Sequence, residues 1–149
     1  MTNKRIPSEV KKSYWYWLVA IAAGVFEMLI AVTQTLSEDI EAGSGIFIQA
    51  GLRTIIFAAL VFVIVKMYRG NHWARIALTI LLGGIGTASL LIDPINWVLE
   101  GNSLDQAFAG MTLYSGLFGI SRIVHLASVM TALILMYRPA ANKYFRLDA

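Results

Sequence analysis

Four long runs of apolar residues dominate the pattern of hydrophobic and polar positions along this chain. They cover residues of about 15–36, 45–67, 73–92 and 115–137, and each is close to the ~20 residues that a helix needs to cross a ~30 Å hydrocarbon layer. The apolar residues are nearly contiguous, unlike the one-sided spacing of a helix on the surface of a soluble protein. The pattern predicts an all-α fold, a four-helix transmembrane bundle in which residues 1–149 form a single membrane domain.

The connections between the runs differ in length. The second is short and contains Gly70, which predicts a tight antiparallel hairpin between spans two and three. The third has roughly two dozen residues, which is unusual for a structureless loop in a compact domain. In it, Asp93 followed by Pro94 resembles an N-cap with proline at the first helical position, and Ser103 with Gln106 has the spacing of a capping box. We therefore expect a short helical segment outside the membrane between spans three and four.

Charge adds an orientation to this picture. Only 14% of the residues are charged, whereas a soluble domain carries about a quarter. The first and third connections contain acidic residues but no Lys or Arg, and the basic residues lie at the other ends of the spans. These basic residues are Lys4, Arg5, Lys11, Lys12, Lys66, Arg69, Arg75, Arg138, Lys143 and Arg146. This positive-inside distribution predicts cytoplasmic termini and a multi-pass protein of the plasma (inner) membrane, and it argues against nucleic acid as a partner.

Two further patterns concern the spans themselves. Residues 14–17 form a Tyr-Trp-Tyr-Trp run at the start of span one, which predicts an aromatic belt in the cytoplasmic headgroup layer, joined by Tyr144 near the C-terminus.

Span three contains Gly83, Gly84 and Ala88, and small side chains let helices approach closely in lipid. Span three is therefore expected to be the central packing helix.

Ionisable residues inside the spans are the candidates for function, because such residues are rare there and usually face the bundle interior. They are Glu27, Arg53, Arg122 and His125. Counted from the cytoplasmic boundary, Glu27, Arg53 and His125 lie at one depth of ~18–20 Å. Arg122 is one turn further out on the face of His125, and Gln49 is one turn from Arg53. The sequence thus predicts a polar cluster of these five residues in the outer half of the bundle.

The roles within this cluster are open at the level of sequence. Glu27 and Arg53 are the natural ion pair, and such a pair can fix helix register or serve a functional site. Arg122 has no acidic partner at its own depth. It could share Glu27, bind backbone carbonyls, or hold an anion or a lipid headgroup. His125 is interpreted as a polar residue that forms a hydrogen bond between helices.

The sequence contains no recognised catalytic or cofactor-binding motif. It has no cysteine, and it contains no nucleophile, P-loop or zinc-protease motif. With His125 as the single histidine inside a span, neither a haem with two axial histidines nor a metal cluster is expected, so the predicted cofactor set is none. The sequence favours a non-enzymatic role without deciding it.

Two functions therefore stay open. The first is an accessory or structural component of a larger membrane or envelope complex, with another membrane protein or a second copy as partner in the lipid bilayer. The second is a small transporter or a protein that binds an anion or anionic lipid through Glu27, Arg53 and Arg122. A water-accessible cavity that reaches the cluster would favour the second function, and a dry, tightly packed bundle would favour the first.

Two short motifs carry a resemblance. Residues 69–75 read RGNHWAR, and residues 137–146 read YRPAANKYFR. Together they cover about a fifth of the chain, and they resemble small four-span membrane proteins of actinobacteria with no assigned activity. The resemblance implies a short hairpin with WAR at the start of span three and a cytoplasmic tail after span four. It implies no catalytic residues.

Overall fold

A computed structural model of the chain describes residues 5–38, 43–103, 105 and 109–146. Its elements are α1 (Ser8–Glu38), α2 (Gly43–Tyr68), α3 (His72–Leu78), a π-helical segment (Thr79–Gly86), α4 (Thr87–Leu99), α5 (Leu113–Met136) and α6 (Pro139–Arg146). The elements α3, the π segment and α4 are continuous and together form the third helix, His72–Leu99.

The helix count matches the expectation from hydropathy. In the described ranges, α1, α2, the third helix and α5 are the helices long and apolar enough to cross a membrane. These ranges contain no β-strand. The all-α prediction with four spans is confirmed, and the fold is compatible with a multi-pass membrane protein. Cytoplasmic placement of both termini stays a prediction.

Local chemistry explains where the helices end. Gly70 has φ of 95°, and the amides of Gly70 and Asn71 donate to the carbonyls of Met67 and Lys66 at 2.9 and 3.2 Å. This is a Schellman motif, in which glycine adopts the left-handed conformation at low cost. It ends α2 and produces the hairpin that the short second connection predicts.

The third helix corrects the expectation for the outside segment. The sequence placed a new helix start at Asp93 and Pro94, but the third helix continues through both residues to Leu99. A proline in an ongoing membrane helix and a proline after an N-cap give the same two-residue pattern, so the sequence did not separate them. The predicted capping box at Ser103 involves Gln106, which lies outside the described residues. A capping box is instead present at the start of α5, between Thr112 and Ser115.

Packing is strongest at the end of the bundle that contains the start of α1, the α2–α3 hairpin and α6. There, Trp17 of α1, Ile64 of α2, Leu78 of α3 and Met136 of α5 are fully buried in one core. The most extensive helix–helix contacts are those of α1 with α5 and with α2. Therefore α1 is the central packing helix, not the third helix as expected. The third helix does approach α5 closely at Gly83, where an added Cβ would lie 3.0 Å from Leu133.

The opposite end of the bundle is open. No residue of α2 between Gly45 and Ala59 is buried, and α4 has no buried residue. The third helix contacts α2 extensively through α3 but not through α4, so the two helices diverge in this half. The open half contains the ionisable residues that the sequence selected.

Some aromatic residues lie deeper than a headgroup belt would place them. Trp15 and Tyr16 are exposed, as expected, but Trp17 is 0% exposed. Tyr144 and Phe145 of α6 are also buried, and the Tyr144 hydroxyl donates to the Tyr68 carbonyl at 3.1 Å. A run of aromatic residues on a helix turns through all faces, so part of the run must point into the core.

Candidate functional site

The contact between α1 and α5 positions most of the candidate residues. The two helices run antiparallel and are joined by two side-chain hydrogen bonds to backbone. Ser13 Oγ donates to the Ala132 carbonyl at 2.9 Å, and Ser121 Oγ donates to the Ala23 carbonyl at 3.1 Å. Small side chains at these positions allow the close approach that a hydroxyl-to-backbone bond requires.

His125 and Glu27 lie at different levels of this contact. His125 is buried and interacts with the backbone of Ala20. Ser121 bonds to Ala23 in the same antiparallel contact, so Glu27 lies about two turns of α1 beyond the level of His125. Glu27 is half-buried, and its Oε1 is buried without a hydrogen-bond partner, as is Nε2 of His125. The structure therefore does not bring Glu27 and His125 to one depth, as the count along the spans had predicted, because α1 and α5 pack with a different register.

Arg122 lies one turn nearer to the start of α5 than His125. It has an acidic partner that the sequence analysis missed. Its Nη2 is 3.7 Å from Oδ2 of Asp93 on α4, with side-chain exposures of 34% for Arg122 and 74% for Asp93. The Nε of Arg122 is buried without a partner. At 3.7 Å the pair is an ion pair and not a hydrogen bond. Most of the five N–H donors of the guanidinium are therefore not used by Asp93.

A cavity of about 380 Å³ opens beside Arg122, at the end of the α1–α5 contact that lies away from the α2–α3 hairpin. Its lining is mostly polar or small: Gln34, Thr112, Tyr114, Ser115, Phe118, Gly119 and Arg122. The volume is within the range of small-molecule sites, which combine a concave surface with a few directed polar groups. The capped N-terminus of α5 also lies here, and its partial positive charge favours an anion.

Arg53 and Gln49 are not brought to this site. Both are exposed on the half of α2 that lies away from the α2–α3 hairpin, residues 45–59. No ion pair joins Arg53 to Glu27 in the part of the chain that the structure describes. The expected Glu27–Arg53 pair is thus not formed. Equal depth in the membrane does not fix the direction in which a side chain points, and α2 contacts α1 at this level through Thr54 and Met28 without joining Arg53 to Glu27.

A second polar cluster lies at the packed end and joins the two motifs quoted above. Arg75, from WAR, is 7% exposed, and its Nη2 donates to Oδ1 of Asn142 on α6. The guanidinium lies over the rings of Tyr137 and Phe145, at 3.9 and 5.2 Å from their centroids. Asn142 Nδ2 in turn donates to the Tyr137 carbonyl at 2.9 Å. These contacts fix α6 against the bundle, and the sequence analysis had treated Arg75 only as a topology signal.

The comparisons with known proteins add no relative. No protein-family model, curated protein or solved structure matches this chain. Within the described ranges, no group of three or more acidic or histidine side chains is arranged to hold a metal ion. The cavity beside Arg122 is therefore the feature from which a function can be inferred.

Proposed function

We propose that this chain is a multi-pass protein of the plasma (inner) membrane that binds an anionic, phosphate-bearing group in the cavity beside Arg122. With cytoplasmic termini, as the charge distribution favours, the cavity lies toward the outer leaflet. The relationship to small actinobacterial four-span proteins is part of this proposal.

The proposal is based on the partial burial and incomplete pairing of the Arg122 guanidinium. Its side chain is two-thirds buried beside an open cavity lined by both polar and apolar groups, and its closest anion is the mostly exposed Asp93 at 3.7 Å. A guanidinium offers a planar fork of donors that matches phosphate oxygens, and such charge-assisted bonds are about twice as strong as neutral ones. The hydroxyl groups of Thr112, Tyr114 and Ser115 can donate to further oxygens of the same group.

Asp93 gives the proposal a specific consequence. Its carboxylate competes with a bound anion for the same guanidinium, and it is exposed enough to turn away. Neutralising it should strengthen binding, while removing the guanidinium should abolish it. A merely structural Arg122–Asp93 pair would predict that both substitutions destabilise the protein and that neither changes ligand content.

The experiment uses the full chain in detergent. Native mass spectrometry measures retained lipid after addition of phosphatidylglycerol or phosphatidylcholine, and calorimetry measures binding of inorganic phosphate. Wild type should prefer phosphatidylglycerol, Arg122→Leu should bind about ten- to a hundredfold more weakly, and Asp93→Asn should bind more tightly. Arg53→Leu is the matched control, because it removes a span arginine that lies away from the cavity.

The calorimetric arm separates the two sources of phosphate. Binding of inorganic phosphate without lipid preference assigns a soluble anion, and lipid preference alone assigns a headgroup. Equal retention of phosphatidylglycerol by wild type and Arg122→Leu, together with no phosphate binding, would refute the proposal.

The accessory role remains a second candidate because of a different surface. On the outer half of α2, Arg53 is exposed without a carboxylate partner among the described residues. That arrangement points to a protein neighbour in the membrane.

A further inference from the structure

The outer half of α2, residues 45–59, is largely exposed and touches the bundle on one side only, where Thr54 lies beside Met28 and Phe57 beside Gly24 of α1. Residues 45–59 are at most half-buried, although Leu60, Ile64 and Met67 further along the same helix are buried. Lipid can cover the apolar side chains of this half, such as Phe47 and Ile48. Lipid tails do not satisfy polar side chains, so any polar residues here need another explanation.

Two polar residues, Arg53 and Gln49, form a stripe on this half. Arg53 lies seven residues before Leu60 and fourteen before Met67, so these three residues share one face of α2. The face that packs into the core near Met67 is therefore the face that carries Arg53 where the bundle opens. From Tyr68, where α2 ends, Arg53 is ~22 Å along the helix axis, inside the hydrocarbon layer. A charged arginine near the centre of a span costs ~2.5–3.5 kcal/mol or more.

No carboxylate of the described chain compensates this charge. Glu27 has similar depth, but it forms no ion pair with Arg53. Asp93 lies on α4, where its nearest cation is Arg122 at 3.7 Å. A buried or lipid-facing guanidinium without an anion is the most costly arrangement, because the charge is desolvated and gains nothing in return.

We infer that the outer half of α2 is a docking surface for a transmembrane helix of another protein, and that this helix carries an aspartate or glutamate at the depth of Arg53. A helix is the form that satisfies its own backbone in lipid. Its carboxylate pairs with the Arg53 guanidinium, and Gln49, one turn away, forms a hydrogen bond with the same helix. The inference does not depend on the Arg122 cavity, and it names the kind of partner that an accessory role requires.

Charge complementarity favours another protein over a second copy. A two-fold contact between two α2 helices would bring two Arg53 side chains together, and such like-charge contacts disfavour association. The described acid of this chain at matching depth, Glu27, is half-buried in its own bundle, with Oε1 buried. Among the described residues, a second copy therefore offers Arg53 no freely accessible carboxylate at its own depth.

The test measures association of the full chain with a designed helix in lipid vesicles. The probes are three poly-leucine transmembrane peptides with Glu, Gln or Lys one third of the way along, each labelled with an acceptor dye. The chain carries a donor dye at Lys143→Cys, an exposed position on α6, and energy transfer reports binding. The chain variants are wild type, Arg53→Leu and Arg53→Glu, with Arg122→Leu as a matched control.

We expect the Glu peptide to bind wild type and Arg122→Leu alike, and to bind Arg53→Leu about tenfold more weakly. Arg53→Glu should lose the Glu peptide and gain the Lys peptide. Because Arg53 is exposed, Arg53→Leu and Arg53→Glu should keep the thermal stability of wild type, which is measured in parallel for every variant. Equal binding of the Glu peptide to wild type and Arg53→Leu would overturn the inference. Self-association of wild type that requires Arg53, seen with donor- and acceptor-labelled chains, would also overturn it and assign a second copy instead.

Discussion

Replacing Asn142 by alanine should destabilise the packed end of the bundle more than removing the arginine that Asn142 binds. Asn142 accepts a hydrogen bond from the guanidinium of Arg75 and donates one to the Tyr137 carbonyl. A hydrogen bond to a charged group contributes ~1.5–3 kcal/mol and a neutral one ~0.5–1.5 kcal/mol. The expected loss in the free energy of unfolding is therefore ~2–4 kcal/mol, most of it because a guanidinium that is 7% exposed loses its acceptor.

Arg75→Met should cost less, ~1 kcal/mol, because the loss of cation–π contacts is offset by removal of a buried charge. The double variant should then cost less than the sum of the two single variants. Unfolding in detergent, followed by circular dichroism against increasing sodium dodecyl sulfate, measures all three. Lys143→Ala, an exposed neighbour on α6, is the control and should stay within ~0.5 kcal/mol of wild type. If Arg75→Met costs more than Asn142→Ala, or if the two losses are additive, the guanidinium is not stabilised by Asn142.

Three further predictions follow from other parts of the structure. Gly51→Ala should stabilise α2 by ~0.5–1 kcal/mol, because no atom lies within 4 Å of the added Cβ. Gly86→Ala should destabilise the π segment, because a backbone carbonyl would lie 3.2 Å from the added Cβ. The unfolding midpoints of the two variants test both statements. Glu27→Gln and Arg53→Leu should have additive effects on stability within ~0.5 kcal/mol, because the two residues are not paired. A large coupling energy in the double-mutant cycle would contradict this and show that they form an ion pair. A cysteine in place of Ser103, in this chain without native cysteine, should react with an impermeant thiol reagent in intact cells; reaction only after permeabilisation would reverse the predicted topology.

Hydropathy was sufficient to predict the four helices because contiguous apolar length is a direct physical requirement of the hydrocarbon layer. It was not sufficient for the end of the third helix. Asp93 and Pro94 were interpreted as a helix start, which removed Asp93 from the bundle and left Arg122 without an acidic partner. If the helix is continued, Asp93 follows Leu82 by about three turns on the same face. That spacing could have identified Asp93 as a residue that faces the bundle and can pair with Arg122.

The candidate site was predicted in part for a similar reason. Depth along a span can be counted from sequence, but the offset between two packed helices cannot, and Glu27 lies about two turns from the level of His125 in the α1–α5 contact. The direction of a side chain also depends on how each helix packs, which the local pattern of α2 does not encode. Arg53 therefore has the depth of Glu27 without being its partner. Arg75 was missed because a basic residue at a span end is expected for topology alone.

The most direct test of the Arg122 cavity is a distance between phosphorus and the guanidinium carbon in a bilayer. Solid-state NMR of the full chain with ¹³C-labelled arginine, in vesicles that contain phosphatidylglycerol, measures dephasing of each Cζ signal by ³¹P. The account predicts a strongly dephased Cζ signal that disappears in Arg122→Leu and that is unchanged in Arg53→Leu. If every dephased arginine signal of wild type persists in Arg122→Leu, no phosphate group occupies the cavity, and the proposed function is wrong.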